Sequence, residues 1–254
     1  MSIPTISGGI FNFSDAGYFP TTWSGGVYDF APSTLYQIYT DLNYVYAAIG
    51  TGLDIIDIDS EHKGAYIHFD SGFKSVWGND YTVYVATSVS GIKCFSKNDI
   101  TININTPVDL TAYLMDYLRY PRITSDNVKY IHGYNDKIMC CTSSGVDFFQ
   151  MEPNGYRSKT TVSGAYKCFV PDNETAYYIT ISGGEYSINK LNTTLMDWVE
   201  PSEVFNVGTG LKINDLYVTS HTSAGGTKNT LFIATSSGIY VIDEENYNTD
   251  VYYA

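Results

Sequence analysis

Acidic side chains form the first candidate site, because hydrolysis and cation binding both need carboxylates. Four of them lie close together, at Asp54, Asp57, Asp59 and Glu61. A spacing of two would place Asp57 and Asp59 on one face of a strand, where a hard cation such as calcium could use their oxygens. The calcium-loop pattern D-x-[DN]-x-[DN]-G is absent, so we interpret this group, and the acidic run at 243–245, as solvated strand edges.

Histidine and cysteine do not form a recognisable site. The chain contains four of each, at His62, His68, His132 and His221, and at Cys94, Cys140, Cys141 and Cys168. No two histidines have the spacing of a local metal site, and no CxxC pair occurs. Adjacent Cys140 and Cys141 should point to opposite faces of a strand. We expect four reduced thiols that pack as small apolar groups.

His132 could face a central channel, although a half-buried histidine with satisfied hydrogen bonds is the simpler interpretation. A nucleophile elbow, a P-loop and a dinucleotide fingerprint are all missing from the sequence. We therefore predict no catalytic residue, no metal ligand and no cofactor-binding residue.

Aromatic residues are the remaining candidates, with 24 Tyr, 12 Phe and 3 Trp in 254 residues. Tyr suits half-buried β surfaces, because its ring packs while its hydroxyl finds a partner. Trp23 and Trp198 lie near predicted loops, where they could contact a sugar ring or a partner protein. Trp77 precedes a predicted turn, and we expect it to pack in the core.

A repeat defines the elements that would position these side chains. Each copy has a β-rich run, a small polar turn that ends in glycine, and an alternating apolar run. The five copies lie at 44–57, 83–95, 138–149, 176–188 and 231–243. The pattern predicts a hairpin, in which glycine takes the positive φ of the turn and Ser or Thr hydroxyls satisfy turn amides. The anchor glycines are Gly52, Gly91, Gly145, Gly184 and Gly238, with Gly183 as an alternative to Gly184.

The spacing of the anchors predicts the fold class. Successive anchors are 39, 54, 39 and 54 residues apart. A period of about 40–50 residues with several strands in each unit is typical of a β-propeller. We predict an all-β chain that forms one propeller domain over residues 1–254, with about five four-stranded blades and six as the alternative. The long intervals predict insertions at about 97–124 and 192–212.

Residues 1–33 do not fit a full blade. They contain two similar segments, Gly-Gly-Ile-Phe-Asn-Phe at 8–13 and Gly-Gly-Val-Tyr-Asp-Phe at 25–30. The free edge of a last blade invites unwanted pairing. We therefore predict that one of these segments is a strand that pairs with the last blade and closes the ring.

Three local features complete the prediction. Within the first insertion, Leu110–Leu118 is a predicted helix, capped by Asp109 and stopped by Pro121. Residues 153–156 predict a tight turn into an outer strand at 156–162, and residues 221–229 predict a longer loop.

The fifth copy, Leu-Phe-Ile-Ala-Thr-Ser-Ser-Gly-Ile-Tyr-Val-Ile-Asp at 231–243, resembles the repeat of sensor- or regulator-type propeller families. The resemblance covers roughly a third of each blade and implies a propeller fold. It transfers no catalytic residue to this chain. Five-bladed propellers also include tachylectin-like lectins and several glycoside hydrolases, and their specific motifs are absent here.

The net charge of the chain disfavours two classes of partner, nucleic acids and anionic membranes. The formal net charge is -13, from 27 acidic and 14 basic residues. Such a chain should repel phosphate backbones and anionic lipids, which disfavours nucleic-acid binding and membrane adsorption. The N-terminal residues show no secretory signal pattern, and no apolar run approaches about 20 residues, so we expect neither secretion nor membrane insertion.

We expect a non-enzymatic structural or interaction propeller. The leading hypothesis is a virion component, such as a phage capsid or tail accessory protein, that binds neighbouring proteins of the assembly. The absence of a catalytic set, the tyrosine content and the excess of 11 Lys over 3 Arg, as in an AT-rich genome, favour it. A cytoplasmic protein is the alternative location. A carbohydrate-binding propeller and a glycoside hydrolase or lyase are the alternative functions.

Overall fold

Short strands dominate the computed structural model of the chain. The structure describes residues 34–60, 62–103, 105–119, 122–150, 157–160, 162–193, 202–223, 226–244 and 248–252. These ranges contain strands and two single-turn 3-10 helices, Lys97–Asp99 and Thr111–Tyr113, and no α-helix. None of the helical turns in them is long and apolar enough to span a membrane.

The described strands form five sheets, which we number in chain order. Sheet 1 contains β1 (Leu35–Thr40), β2 (Tyr44–Ile49), β3 (Gly52–Asp57) and β4 (His62–His68). Sheet 2 contains β5 (Ser75–Gly78), β6 (Thr82–Ala86) and β7 (Ile92–Ser96), after which β8 (Val108–Asp109) adds to sheet 1 and β9 (Met115–Leu118) completes sheet 2. Sheet 3 contains β10 (Val128–Tyr134), β11 (Lys137–Thr142), β12 (Val146–Gln150) and β13 (Arg157–Thr160).

Sheets 4 and 5 repeat the same arrangement. Sheet 4 contains β14 (Lys167–Phe169), β15 (Thr175–Ser182), β16 (Glu185–Asn192) and β17 (Ser202–Thr209). Sheet 5 contains β18 (Ile213–Ser223), β19 (Gly226–Thr235), β20 (Gly238–Asp243) and β21 (Asn248–Tyr252). Within each sheet the neighbouring strands are antiparallel, except for β8, which pairs in parallel with β4. The chain is therefore all-β, and each sheet is an up-and-down meander.

The sequence repeat corresponds to the second and third strands of each sheet. Three of the turns between them share one hydrogen bond, from a threonine Oγ1 to the carbonyl of the anchor glycine. The pairs are Thr87 with Gly91, Thr142 with Gly145, and Thr235 with Gly238, at 2.9–3.1 Å. Hydroxyl groups thus stabilise these turns, as the sequence predicts.

Positive φ is present at most of the anchor glycines. Gly52, Gly91 and Gly238 have φ between 71° and 146°. Gly183 and Gly184 both have positive φ and together form the turn from β15 to β16, as a two-residue type I′ turn requires. The prediction is wrong at Gly145, which does not take positive φ.

The predicted helix at Leu110–Leu118 is wrong. Its first part is the 3-10 turn Thr111–Tyr113, and its last part is β9, which pairs with β7. The open edge of β7 offers backbone partners, and Lys93 Nζ contacts Asp116 Oδ1 at 2.5 Å across the pair. Asp109 Oδ1 does accept the N–H of Thr111 at 2.9 Å, but it caps this one turn. Pro121 lies outside the described residues.

Two loop predictions also need correction. The predicted loop at 221–229 is a continuation of β18 and β19, whose register extends to the pair Ser223 and Gly226. The backbone register pairs Thr222 with Thr227 and Ser223 with Gly226, so the antiparallel ladder continues through this segment. Asp57 is the last residue of β3, so Asp59 lies in the following turn and does not share a strand face with it.

The predicted turn at 153–156 lies outside the described residues, whereas β13 falls within the predicted outer strand.

Hydrophobic clusters join successive sheets. One cluster lies between sheets 1 and 2, a second between 2 and 3, a third between 3 and 4, and a fourth between 4 and 5. Cys140 belongs to the second cluster and Cys141 to the third, so these neighbours do point to opposite faces of β11. All four cysteines are free and buried.

The first strands of the sheets lie side by side and run in the same direction. Tyr39 Oη donates to the carbonyl of Gly78 at 2.7 Å, which joins the end of β1 to the end of β5. Further along, Val170 N–H donates to His132 Nδ1 at 3.0 Å, and Tyr166 Oη donates to the carbonyl of Ile213 at 2.6 Å. The loops that follow these strands therefore lie on one side of the molecule.

We call that side the loop face, defined by residues 41–43, 79–81, 135–136 and 171–174. The turns between second and third strands define the opposite side, the turn face. The predicted closing segments at 8–13 and 25–30 lie outside the described residues. Sheet 5 obtains its four strands from residues 213–252 without them.

Candidate interaction surface

A cavity of about 330 Å³ lies where the five first strands meet. Each first strand contributes a polar, an apolar and an aromatic residue in that order. The triplets are Gln37-Ile38-Tyr39, Ser75-Val76-Trp77, Tyr130-Ile131-His132, Lys167-Cys168-Phe169 and Asp215-Leu216-Tyr217. The aromatic residue of every triplet lines the cavity. Because the aromatic residues of successive triplets are 37 or more positions apart in the chain, only the packing of the sheets brings them together.

A hydrogen-bond network fixes the polar part of the cavity. Gln37 Nε2 donates to Tyr130 Oη at 2.9 Å, and Gln37 Oε1 accepts the N–H of Val76 at 3.0 Å and the hydroxyl of Ser75. Ser75 Oγ also accepts the N–H of Ile131 at 2.9 Å. Side chains from sheets 1, 2 and 3 are thus joined at the centre, which holds the aromatic rings in fixed positions.

His132 is part of this wall. Its ring stacks on Phe169 with centroids 4.0 Å apart, and its Nδ1 accepts the N–H of Val170. Burial lowers the pKa of His132 to about 3, so the ring is neutral at ordinary pH. A neutral ring that accepts at Nδ1 carries its proton at Nε2. The structure therefore agrees with both sequence interpretations, since His132 lines the central space and has a satisfied ring nitrogen.

Carboxylates lie near the loop end of the cavity. Burial, together with the charges of Asp41 and Asp80, raises the pKa of Tyr39 to about 12. Burial alone would raise the pKa of Asp41, but hydrogen bonds from Lys97, two backbone N–H groups and Tyr46 together lower it. Asp41 is therefore ionised, and Lys97 Nζ lies 2.5 Å from its Oδ2.

Large apolar side chains are exposed on the loop face. Leu42 is 94% exposed, Tyr81 73% and Tyr134 39%, and they belong to three neighbouring sheets. Two exposed acidic residues lie on the same face, Asp80 beside Tyr81 and Glu174 in the loop of sheet 4. Exposed apolar side chains surrounded by polar groups are typical of a surface that binds another protein.

Asx turns hold three of these loops in place. The side-chain oxygens of Asp41, Asn79 and Asp172 each accept N–H groups two and three residues further on, at 2.7–3.0 Å. Lys97 joins Asp41 to sheet 2, and Lys137 Nζ donates to the carbonyl of Asn173 in the next sheet. A surface fixed in this way loses little conformational entropy when it binds a partner.

The acidic residues of the 54–61 segment do not form one site in the structure. Asp54 is buried and forms an ion pair with Lys63, with Oδ1 and Nζ 2.6 Å apart. Asp57 Oδ2 accepts the N–H of Ser60 at 3.0 Å, while Asp59 is exposed. Glu61 lies outside the described residues. Within the described ranges, no three His, Cys, Asp or Glu side chains are grouped so that they could hold a metal ion.

Of the three tryptophans, only Trp77 lies within the residues that the structure describes. Trp23 and Trp198, the predicted contact residues, lie outside the described residues. Trp77 is 6% exposed and stacks on Tyr84, with centroids 5.8 Å apart, in the cluster between sheets 2 and 3. It also lines the cavity, which the sequence interpretation did not anticipate. The recurring polar-apolar-aromatic triplet was the available signal, but the first strands are short and the triplets share almost no identical residues.

Solved structures with propeller-like folds are similar to this chain. An extracellular domain of a hybrid two-component system from B. thetaiotaomicron aligns with a TM-score of 0.59 and 12% identity, over 87% of this chain and 27% of that chain. The WD40 domain of Neurospora crassa Pan2 aligns with a TM-score of 0.57 and 10% identity, over 87% of this chain and 65% of that chain. Kuenenia stuttgartiensis hydrazine synthase aligns with a TM-score of 0.54 and 10% identity, over 88% of this chain and 70% of that chain.

WD40 domains are β-propellers, so these alignments support a propeller-like repeat fold for this chain. The chain spans little more than a quarter of the first of these proteins and just under two thirds of the second. No protein-family model and no curated protein sequence matches the chain. At such low identity the likeness concerns the fold alone, because one fold supports many functions.

Proposed function

We propose that this protein is a non-enzymatic interaction domain that binds a partner protein through its loop face. The observation that carries the proposal is the exposure of Leu42 and Tyr81 on two loops and of Tyr134 at the end of β10, in three adjacent sheets. Side chains of this kind become binding hot spots when a partner removes them from water. The five sheets would be the blades of one ring, which is the arrangement expected from the sequence.

Charge indicates the kind of partner. The chain has a net charge of -13, and acidic residues lie beside the exposed apolar tips. Two lysines at this face are already engaged, Lys97 by Asp41 and Lys137 by backbone carbonyls of sheet 4. A partner with a basic surface would therefore be steered towards the loop face, and binding would weaken as salt increases.

The partner we favour is a neighbouring protein of a virion-type assembly. This part of the proposal depends on three features of the sequence. They are the absence of a recognisable catalytic motif, the high tyrosine content, and the excess of Lys over Arg that is typical of an AT-rich genome. A glycoside hydrolase is less well supported, because the described cavity lining contains a single carboxylate, Asp215, and glycoside hydrolysis uses two.

Peptide display with the full chain as bait tests the binding face. We expect basic peptides to be enriched, and calorimetry should show that Leu42→Ser with Tyr81→Ser weakens binding of the best peptide at least about tenfold. Val89→Ser is the matched control, because Val89 is 59% exposed but lies in the turn between β6 and β7 on the turn face. Raising the salt concentration should weaken binding in the unsubstituted chain.

Equal loss in the control and the loop-face variant would contradict the proposal, as would the absence of any enriched peptide. A glycan array provides the comparison with the carbohydrate alternative. A reproducible glycan signal that Tyr81→Ser abolishes would favour a lectin over a protein-binding domain.

A further inference from the structure

The central cavity has the walls of a binding site for a small ligand. Fourteen described residues line its volume of about 330 Å³, and six of them are Phe, Tyr or Trp. A cavity of a few hundred Å³ with apolar and aromatic walls and a small number of polar groups is typical of small-molecule sites in proteins. The chemistry of these walls indicates which ligand would fit.

Four rings of the lining form one continuous wall. His132 stacks on Phe169, and Phe169 meets Tyr217 at an interplanar angle of 76°, with centroids 5.5 Å apart. Tyr217 and Phe232 extend the wall from β18 to β19, with centroids 6.4 Å apart. Tyr217 is 58% exposed and Phe232 37%, so both rings have surface that a ligand can cover. Several rings around one space are what an aromatic cage for an alkylated ammonium group requires.

Electrostatics at the cavity favours a cation. The described lining contains one carboxylate, Asp215, and no lysine or arginine. His132 adds no positive charge at ordinary pH, because burial lowers its pKa to about 3. The charge of Asp215 is felt inside the cavity, since it is the next cause after burial that raises the pKa of Tyr130. The faces of aromatic rings are also negative, so rings and carboxylate act in the same direction.

A lysine of the chain itself already uses part of this environment. Lys167 Nζ lies 2.8 Å from Asp215 Oδ1 and 5.4 Å from the centroid of the Tyr130 ring. The side chains of this ion pair are 24% exposed for Lys167 and 61% exposed for Asp215. Solvent screens an ion pair of this kind, which therefore contributes little to stability. A cationic ligand can thus replace Lys167 as the partner of Asp215 at little cost to the fold.

We propose that the central cavity is a binding site for an organic cation that carries an alkylammonium group. The charged group would lie against the rings of Phe169 and Tyr217, close to the carboxylate of Asp215. Cation–π attraction would hold the charge, and the apolar lining would bury the alkyl groups. A free small molecule and a lysine side chain of a protein both offer this chemistry. The proposal does not depend on the loop-face binding function.

Titration of the full chain with choline, followed by NMR, tests the proposal. The matched probe is the neutral isostere of choline in which a carbon atom replaces the charged nitrogen. We expect choline to shift the ring resonances of Tyr217 and His132, and to bind at least about tenfold more tightly than the isostere. Equal affinities would overturn the proposal, because the cavity would then recognise apolar shape alone. The absence of choline binding would overturn it as well.

Two substitutions with opposite expected effects test the role of the carboxylate. Asp215→Asn should weaken choline binding severalfold, because the negative charge is lost. Lys167→Gln should strengthen choline binding severalfold, because Asp215 then has no competing ammonium group. General damage to the cavity would weaken binding in both variants. Weaker binding in Lys167→Gln would therefore contradict the assigned role of Asp215.

Replacement of one ring tests the aromatic wall. Tyr217→Leu keeps an apolar side chain at this position, so it should weaken choline binding at least about fivefold and leave binding of the neutral isostere unchanged. Tyr113→Leu is the matched control, because Tyr113 is 48% exposed in the 3-10 turn and is not among the residues that line the cavity. Equal effects of the two substitutions would refute the cage. Thermal unfolding of each variant reports whether it remains folded.

Competition distinguishes the two sources of the cation. If choline displaces a basic peptide bound to the chain, a side chain of the partner protein occupies the cavity. If choline and the peptide bind at the same time, the ligand of the cavity is a free small molecule. Choline binding is measured without a peptide, so a failure of the loop-face proposal leaves this test unaffected.

Discussion

His132 connects the central cavity to the pH dependence of stability. Burial lowers its pKa to about 3 in the folded chain, whereas an unfolded histidine takes up a proton near pH 6.5. Below about pH 6.5 the unfolded state therefore binds more protons than the folded state, and stability falls as the pH decreases towards the folded pKa. Each pH unit in this window removes up to about 1.4 kcal/mol.

Substitution of His132 should reduce this dependence. In His132→Asn, the amide oxygen can replace Nδ1 as the acceptor for the N–H of Val170, and no titrating ring remains. We expect the melting temperature of the variant to decline less than that of the unsubstituted chain between about pH 6.5 and pH 4. Thermal unfolding at a series of pH values measures this. An NMR titration that protonates the His132 ring near pH 6.5 in the folded chain would disprove the interpretation.

Polar contacts between sheets act at the scale of secondary-structure elements. Asn229 lies on β19 and is 2% exposed. Its Nδ2 lies 2.8 Å from Tyr177 Oη and 3.1 Å from Thr175 Oγ1, both on β15 of sheet 4. One side chain thus joins the second strands of sheets 4 and 5.

Removal of that amide should destabilise the interface. We expect Asn229→Ala to lower the free energy of unfolding by about 1–3 kcal/mol, because the buried hydroxyl of Tyr177 loses a hydrogen-bond partner. Asn206→Ala on the exposed surface of β17 is the control and should change it by less than about 0.5 kcal/mol. Urea unfolding midpoints provide the measurement, and equal effects of the two substitutions would refute the assigned role.

The whole molecule is an acidic, all-β array of sheets with apolar side chains at its loop face. If it functions within a virion-type assembly, the native protein should sediment with a large particle in extracts of its source. Leu42→Ser with Tyr81→Ser should release it as a free chain, whereas Val89→Ser should not. Sedimentation as a free monomer in the unsubstituted form would argue against a structural role, and sugar binding would be the next property to measure.

Hairpins were predictable from sequence because their determinants are local. The hydrogen bond from Thr142 Oγ1 to the carbonyl of Gly145 spans three residues, and the turn at Gly183 and Gly184 needs only two residues with positive φ. Alternation of apolar residues in the flanking runs is equally short-range. The sequence therefore predicted the β class, the five hairpins and the opposite orientations of Cys140 and Cys141.

Elements whose conformation depends on distant partners were not predictable in this way. Residues 115–118 have a pattern compatible with a helix, but the open edge of β7 makes them a strand. Residues 221–223 look like a polar loop until they pair with 226–228. In both segments, backbone hydrogen bonds to another part of the chain outweigh local preference.

The amino-acid sequence by itself determined the repeat, its turns and the acidic character of the chain. Only the tertiary structure decided that Tyr39, Trp77, His132, Phe169 and Tyr217 surround one cavity, and that Leu42, Tyr81 and Tyr134 share one face. The physical reason is that these positions depend on the direction and packing of whole sheets. Contacts between residues far apart in the chain set that packing, and no short window of sequence contains them.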